Sequence, residues 1–119
     1  MAIPKKVDKS IRIQRANSLI QELLGQILPD YLDKSQGLVS VSRVETSSDL
    51  RWAKVWLSVI NAEDDDILQL LQKNIYHIQG ELNRRIPMKI VPRLQFFIDT
   101  SARFAQHLNE VFTHLHDND

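Results

Sequence analysis

The 119-residue chain has no cysteine, which excludes disulfides, thiolate catalysis and Cys-ligated zinc and fits a reducing compartment. Neither sign of charge is in excess: 15 basic and 15 acidic side chains cancel, so the total gives no general reason to expect a polyanion as partner. No apolar run approaches the roughly 18 residues of a membrane span, and the first ten residues lack the apolar core of a secretory signal. There is no Walker loop, no nucleophile elbow and no paired base and nucleophile at a recognisable spacing, so no catalytic residue and no cofactor is expected. These absences leave a non-enzymatic, soluble, cytoplasmic protein as the expectation, with no membrane contact.

What is present is ordinary globular composition, 43% hydrophobic and 25% charged, in a length that suits one domain. The charges are unevenly placed. Residues 1–15 carry Lys5, Lys6, Lys9, Arg12 and Arg15 against Asp8, and residues 84–103 carry Arg84, Arg85, Lys89, Arg93 and Arg103 against Asp99, each net +4. Much of the balancing acid lies elsewhere, in Glu63-Asp64-Asp65-Asp66, at Asp30 and Asp33, and in the last residues at Asp117 and Asp119. A neutral chain with segregated signs can still present one basic face.

Hydrophobic period defines the elements. Residues 1–9 read as a basic, flexible arm. Ser10 reads as the N-cap of a helix over 10–28, whose apolar stripe is Ala16, Leu19, Ile20, Leu23, Leu24, Ile27 and Leu28. Gly25 falls inside it, where a close approach by another segment would explain the glycine; Pro29 ends it. A strand over 38–46 has Val39 and Val41 on one side but Val44 out of step, which calls for a bulge near Arg43. After the Ser47-Ser48-Asp49 turn, residues 52–60 alternate cleanly: Ala53, Val55, Leu57 and Val59 face the core, and Trp52, Lys54, Trp56 and Ser58 face the other way. Asp64 or Asp65 can cap a helical stretch whose stripe is Ile67, Leu70, Leu71, Ile75, Ile78, Leu82 and Ile86, with a drift at Asn74–Tyr76 that suits a kink. A third strand carries Leu94, Phe96 and Ile98 inward, and Ser101 can cap a last helix with Phe104, Leu108, Val111, Phe112 and Leu115. The expected domain covers residues 10–115, with 116–119 as a frayed tail. The order is α-β-β-α-β-α, an α+β fold with helices on one face of a three-stranded sheet.

Two runs are more specific than any period. They are Val41-x-x-Val44-x-x-Ser47-x-Asp49-Leu50-x-x-Ala53-Lys54-Val55, and Val91-Pro92-x-Leu94-x-Phe96-x-x-Asp99. In this order, following the helix that begins near Arg12, they resemble the ribosome-binding factor A family over roughly residues 11–112. The resemblance implies a KH-like fold of type II with an added C-terminal helix. It also implies an assembly factor that acts as a monomer. Its partners would be the small (30S) ribosomal subunit and its RNA, with ribosomal proteins as further contacts. The implied role is late processing and maturation of small-subunit ribosomal RNA, with relevance to growth in the cold. One departure stands out. KH domains that bind RNA have a Gly-x-x-Gly loop between two helices. In the family an Ala-x-Gly kink replaces it, and here that position reads Asn74-Ile75-Tyr76, with Gly80 four residues later.

The candidate RNA-binding residues are Lys5, Lys6, Lys9, Arg12 and Arg15, then Lys54, then Arg84, Arg85, Lys89 and Arg93, the last four bracketing the turn from helix to third strand. Their chemistry is phosphate neutralisation. The plainer account is that cations near a helix C-terminus complement its dipole. Trp52 and Trp56 are expected to pack across strands rather than stack on bases. Asp49 and Asp99 are expected to hold the hairpin turn and the start of the last helix. His107, His114 and His116 are too poorly spaced to share a metal, and none is expected. The alternative function is a protein-interaction adaptor whose basic patches are only solvated surface.

Overall fold

The computed structural model describes residues 5–33, 37–101, 103, 108 and 111. The order of elements is helix α1 (Lys5–Ile27), a 3-10 turn (Leu28–Tyr31), strands β1 (Leu38–Thr46) and β2 (Trp52–Ile60), helices α2 (Asp64–Lys73) and α3 (Ile75–Arg85), and strand β3 (Arg93–Ile98). The sheet order is β1-β2-β3; β1 and β2 are antiparallel and β2 and β3 parallel. Parallel neighbours need a long crossover, and α2 and α3 supply it.

α1 starts at Lys5, five residues before the expected cap, and Ser10 lies inside it. Residues 5–9, read from the sequence as an arm, are its first turns. The reason is local: no proline or glycine stands between Pro4 and Gly25, so nothing stops a helix carried by the Ala16–Ile27 stripe from running back toward the N-terminus. Ala16, Ile20, Leu24, Ile27 and Leu28 are buried, as the stripe requires. Gly25 is exposed, and a Cβ added there would meet nothing within 4 Å, so no described segment approaches it closely.

The bulge sits at Ser42. The pairing runs Val41↔Leu57 and then Arg43↔Trp56, so one residue of β1 has no partner on β2. That skip turns Val44 inward opposite Val55, and Thr46 inward opposite Ala53. The expected inward face of β2 holds, with Ala53, Val55, Leu57 and Val59 all buried. Gly37, just before β1, has φ +85°, and a Cβ there would collide with the carbonyl oxygens of Ile60 and Asn61. That turn therefore requires glycine.

The helical stretch after β2 is two helices. Asn74, with φ −102° and ψ 9°, separates them at the position where the stripe drifts. Its side-chain Nδ2 donates to the Leu70 carbonyl at 2.9 Å, and its own carbonyl accepts from the Ile78 N–H at 3.0 Å. One residue thus closes α2 and opens α3 without glycine. α2 is entered from Glu63, with no side-chain cap; Asp64, Asp65 and Asp66 occupy its first turn, at the positive end of its dipole. Ile67, Leu71, Ile78 and Leu82 are buried and close the core with β2 and Leu94 of β3. Phe96 and Ile98, expected fully inward, are half-buried against it. Ser101, Arg103, Leu108 and Val111 are helical; the rest of the expected last helix, the three histidines of that segment and the tail lie outside the described residues.

Candidate nucleic-acid interface

Strand polarity sorts the charge. β2 and β3 both begin at one end of the sheet, with Trp52 paired to Arg93. The β1–β2 hairpin with Arg51 and the α3–β3 connection with Lys89 therefore meet at that end. α1 reaches it too: the Asn17 carboxamide oxygen accepts the Thr46 N–H at 2.8 Å at the last residue of β1. The acidic run Glu63–Asp66 follows the far end of β2. Residues remote in sequence thus bring cations to one end, beside the hairpin's own Asp49, while the Glu63–Asp66 run lies at the other, where Asp64 pairs with Arg103.

At the cationic end, Arg12 and Arg15 of α1 and Lys89 rim a depression of about 320 Å³ with an apolar floor of Leu19, Leu50, Met88 and Ile90. All three cations are exposed. Beside it, Arg84 and Arg93 line a wider groove of about 600 Å³ over α3. Gln79 holds that groove together. Its Nε2 donates to the Pro92 carbonyl at 3.0 Å and its Oε1 accepts from the Leu94 N–H at 3.0 Å, so the backbone around Arg93 is fixed against α3.

Among the described residues, the ion pairs formed are Arg43–Glu45 at 3.4 Å, Arg85–Glu81 at 3.8 Å and Arg103–Asp64 at 2.9 Å. None takes Arg12, Arg15, Arg84, Lys89 or Arg93. Of the residues proposed from the sequence, the structure gathers these five at one end. Lys9 is exposed on α1, and Lys5 and Lys6 lie on its first turn. Arg85 is partly neutralised by Glu81. Lys54 stands apart on the outer face of the sheet, opposite Glu45, with its ammonium 5.9 Å from the Phe97 ring centre. The sequence reading omits Arg51, at the hairpin, and the apolar floor formed by Leu50, Met88 and Ile90; residues in turns carry no period that would expose them.

The outer face also answers the tryptophan question. Trp56 stacks on Phe97 across the parallel pair, with centroids 5.1 Å apart, and Arg43 lies 4.6 Å from its ring centre. Trp56 packs, as expected. Trp52, paired with Arg93 at the start of the parallel ladder, is 45% exposed.

Two carboxylates hold backbone. Asp49 accepts from the Ser47 hydroxyl at 2.6 Å and the Arg51 N–H at 3.1 Å, and those bonds lower its pKa. Asp99 is held down to about 2, first by the Ser101 N–H at 3.0 Å, then by the Ser101 and Ser42 hydroxyls. The Ser42 hydroxyl lies 2.9 Å from Asp99 Oδ2, so the bulge residue is tied to the end of β3. Near Arg84, burial and then the Glu81 carboxylate raise the pKa of the Tyr31 phenol, which stays a neutral donor. No group of three or more metal-ligating side chains occurs among the described residues, and no described helix is long and apolar enough to cross a membrane.

A three-stranded sheet with one parallel pair, crossed by two helices that meet at a sharp break and preceded by a long helix, defines a KH-like α+β domain. Its fold is that of a ribosome-binding factor A from Thermus thermophilus: TM-score 0.66 at 22% identity, covering 72% of this chain and 94% of the other. A homology model of the Thermus thermophilus protein, fitted into a map of its complex with the 30S subunit, gives TM-score 0.56 at 23% identity, covering 69% and 93%.

The family model described as ribosome-binding factor A matches residues 12–112, and the chain belongs to that family. Among curated relatives, ribosome-binding factor A of Thermodesulfovibrio yellowstonii is 35% identical over 84% of this chain and 90% of its own length. That of Natranaerobius thermophilus is 35% identical over 77% and 76%.

Proposed function

We propose that this protein is a non-catalytic, RNA-binding assembly factor that docks on the small ribosomal subunit through the cationic end of its sheet and supports late processing of the subunit's RNA in the cytoplasm. The observation that carries the reading is the convergence of Arg12 and Arg15 from α1, Arg84 from α3, and Lys89 and Arg93 from the approach to β3 on one end of the molecule. Family membership supports it, as does the 30S complex of the Thermus thermophilus relative. The mechanism is differential affinity: a factor that grips the immature subunit better than the mature one shifts that equilibrium and leaves when maturation is complete.

One observation favours a second reading. The floor between Arg12, Arg15 and Lys89 is apolar, and Ile90 is 67% exposed, which suits a protein contact. Salt dependence separates the two. Co-sedimentation with purified immature and mature subunits across a salt series should show affinity falling on the order of 10³-fold between roughly 50 and 200 mM salt for about six phosphate contacts. An affinity indifferent to salt would assign the surface to an adaptor instead.

A further inference from the structure

We infer that the depression rimmed by Arg12, Arg15 and Lys89 docks an acidic segment of a partner protein, held by an apolar anchor residue. The inference builds on the second reading above and does not depend on the RNA-binding one. Its floor comes from three separate parts of the chain: Leu19 from α1, Leu50 from the β1–β2 hairpin, and Met88 with Ile90 from the α3–β3 connection. Leu50 is held there against its own backbone preference. Its φ of 61° lies in the left-handed region that bulky residues rarely adopt. Its N–H donates to the Ser47 carbonyl at 2.9 Å, which fixes the turn. Glycine would take that corner without strain, whereas leucine adds a half-buried side chain to the floor.

The apolar surface continues along α1. A second depression, lined by Ile11, Gln14 and Ser18, shares Arg15 and Leu19 with the first. Ile11 to Leu19 spans about 12 Å of helix, the reach of a short peptide rather than of one small molecule. Charge sets the sign of the occupant. Arg12, Arg15 and Lys89 are exposed and take no part in the ion pairs formed among the described residues. Among the described residues no carboxylate lines either depression. The hairpin's own Asp49 is engaged by the Ser47 hydroxyl and the Arg51 N–H. Carboxylates on a partner would complement the rim, and a leucine or phenylalanine between them would fill the floor. An apolar centre with a polar rim, containing Arg and Met, is the make-up of a protein interface. Phosphates would satisfy the same cations, but no aromatic side chain among the described residues lines either depression for a base to stack on. A nucleic-acid backbone would also leave the aliphatic floor uncovered.

The test uses an end-labelled peptide of about twelve residues, with glutamates around two leucines one helical turn apart. It is compared with the same peptide carrying serine for leucine, with one carrying lysine for glutamate, and with single-stranded oligouridylate. Label anisotropy gives the affinity, and the methyl resonances of Met88 and Ile90 report the site. The acidic leucine peptide should bind the full chain and shift both methyls, and the serine and lysine versions should bind at least about tenfold more weakly. Ile90→Ser and Arg15→Glu should each weaken it about tenfold, Ile90→Ser with an unchanged melting temperature because that side chain is exposed. Leu50→Gly should weaken it likewise while melting no lower than the parent, since the turn is relieved of strain. Leu38→Ser, which alters an exposed leucine at the other end of β1, should bind as the parent does. Full affinity in Ile90→Ser, or for the serine peptide, overturns the proposal, as does binding that leaves the Met88 and Ile90 methyls unmoved. A Leu50→Gly variant that loses stability but not affinity overturns it too, because the leucine would then serve the fold alone. Tighter binding of oligouridylate with shifts at those methyls reassigns the depression to RNA. If the parent binds subunits with steep salt dependence but ignores the peptide, only this inference falls. If it binds the peptide while subunit affinity is indifferent to salt, the RNA-binding reading falls and this one stands.

Discussion

Asp99 shows how much one side chain can organise. Its carboxylate accepts from Ser101 at the start of the final helical residues and from Ser42 at the bulge, while its own N–H donates to the Leu57 carbonyl at 2.7 Å. Three segments are thereby tied at one point. Because its pKa is lowered from 3.8 to about 2 in the folded protein, the unfolded chain takes up the proton first. Its contribution is complete above about pH 4 and is lost as pH falls from there toward 2. Asp99→Asn should therefore flatten the fall of melting temperature across that window without removing it, since Asp49 is lowered in the same sense. Thermal melts between pH 2 and 5 check this; parallel profiles for the two proteins would contradict it. Both aspartates are legible in the sequence as turn residues, because a short carboxylate beside serines has few other uses.

At the level of elements, the helical stretch after β2 is the informative case. The drift of the stripe at Asn74–Tyr76 marks a kink, and Asn74 supplies it with its own side chain. An amide that can bond back one turn does locally what a glycine does by conformational freedom. The break keeps Leu71 and Ile78 facing the same core while Tyr76 swings out. Leu71→Ala and Ile78→Ala should each cost about 2–5 kcal/mol, whereas Tyr76→Ala should stay within about 0.5 kcal/mol. Chemical denaturation of the three variants measures this; a small loss at Leu71 or Ile78 would mean the helices do not seat as described. The start of α1 departs from its expected place for the converse reason. A serine caps a helix only where the chain before it leaves helical geometry, and here it does not.

For the molecule as a whole, the central fact is that strand polarity brings cations remote in sequence to one end of the sheet and leaves the Glu63–Asp66 run at the other. Arg12→Glu with Lys89→Glu should leave the fold intact, because both side chains are exposed, yet weaken subunit binding and shallow its salt slope by about one for each phosphate no longer neutralised. Asp65→Lys, at the opposite end, should change affinity little, since a charge beyond about 8 Å is screened at physiological salt. Co-sedimentation of both variants across a salt series decides it, and equal effects at the two ends would remove the cationic end as the docking surface.

The amino-acid sequence alone determined β1 and β2, the bulge, the buried stripes, the helix break and the family, because each is written in local period or in a contiguous motif. It also showed that positive charge clusters in two separate segments. Only the tertiary structure decided that Arg12 and Arg15 meet Lys89, that Arg84 and Arg93 share a groove over α3, that Glu81 claims Arg85 and that Lys54 stands apart. Those outcomes depend on which ends of which elements are brought together. A parallel pair joined through two helices sets that over distances that no sequence window spans.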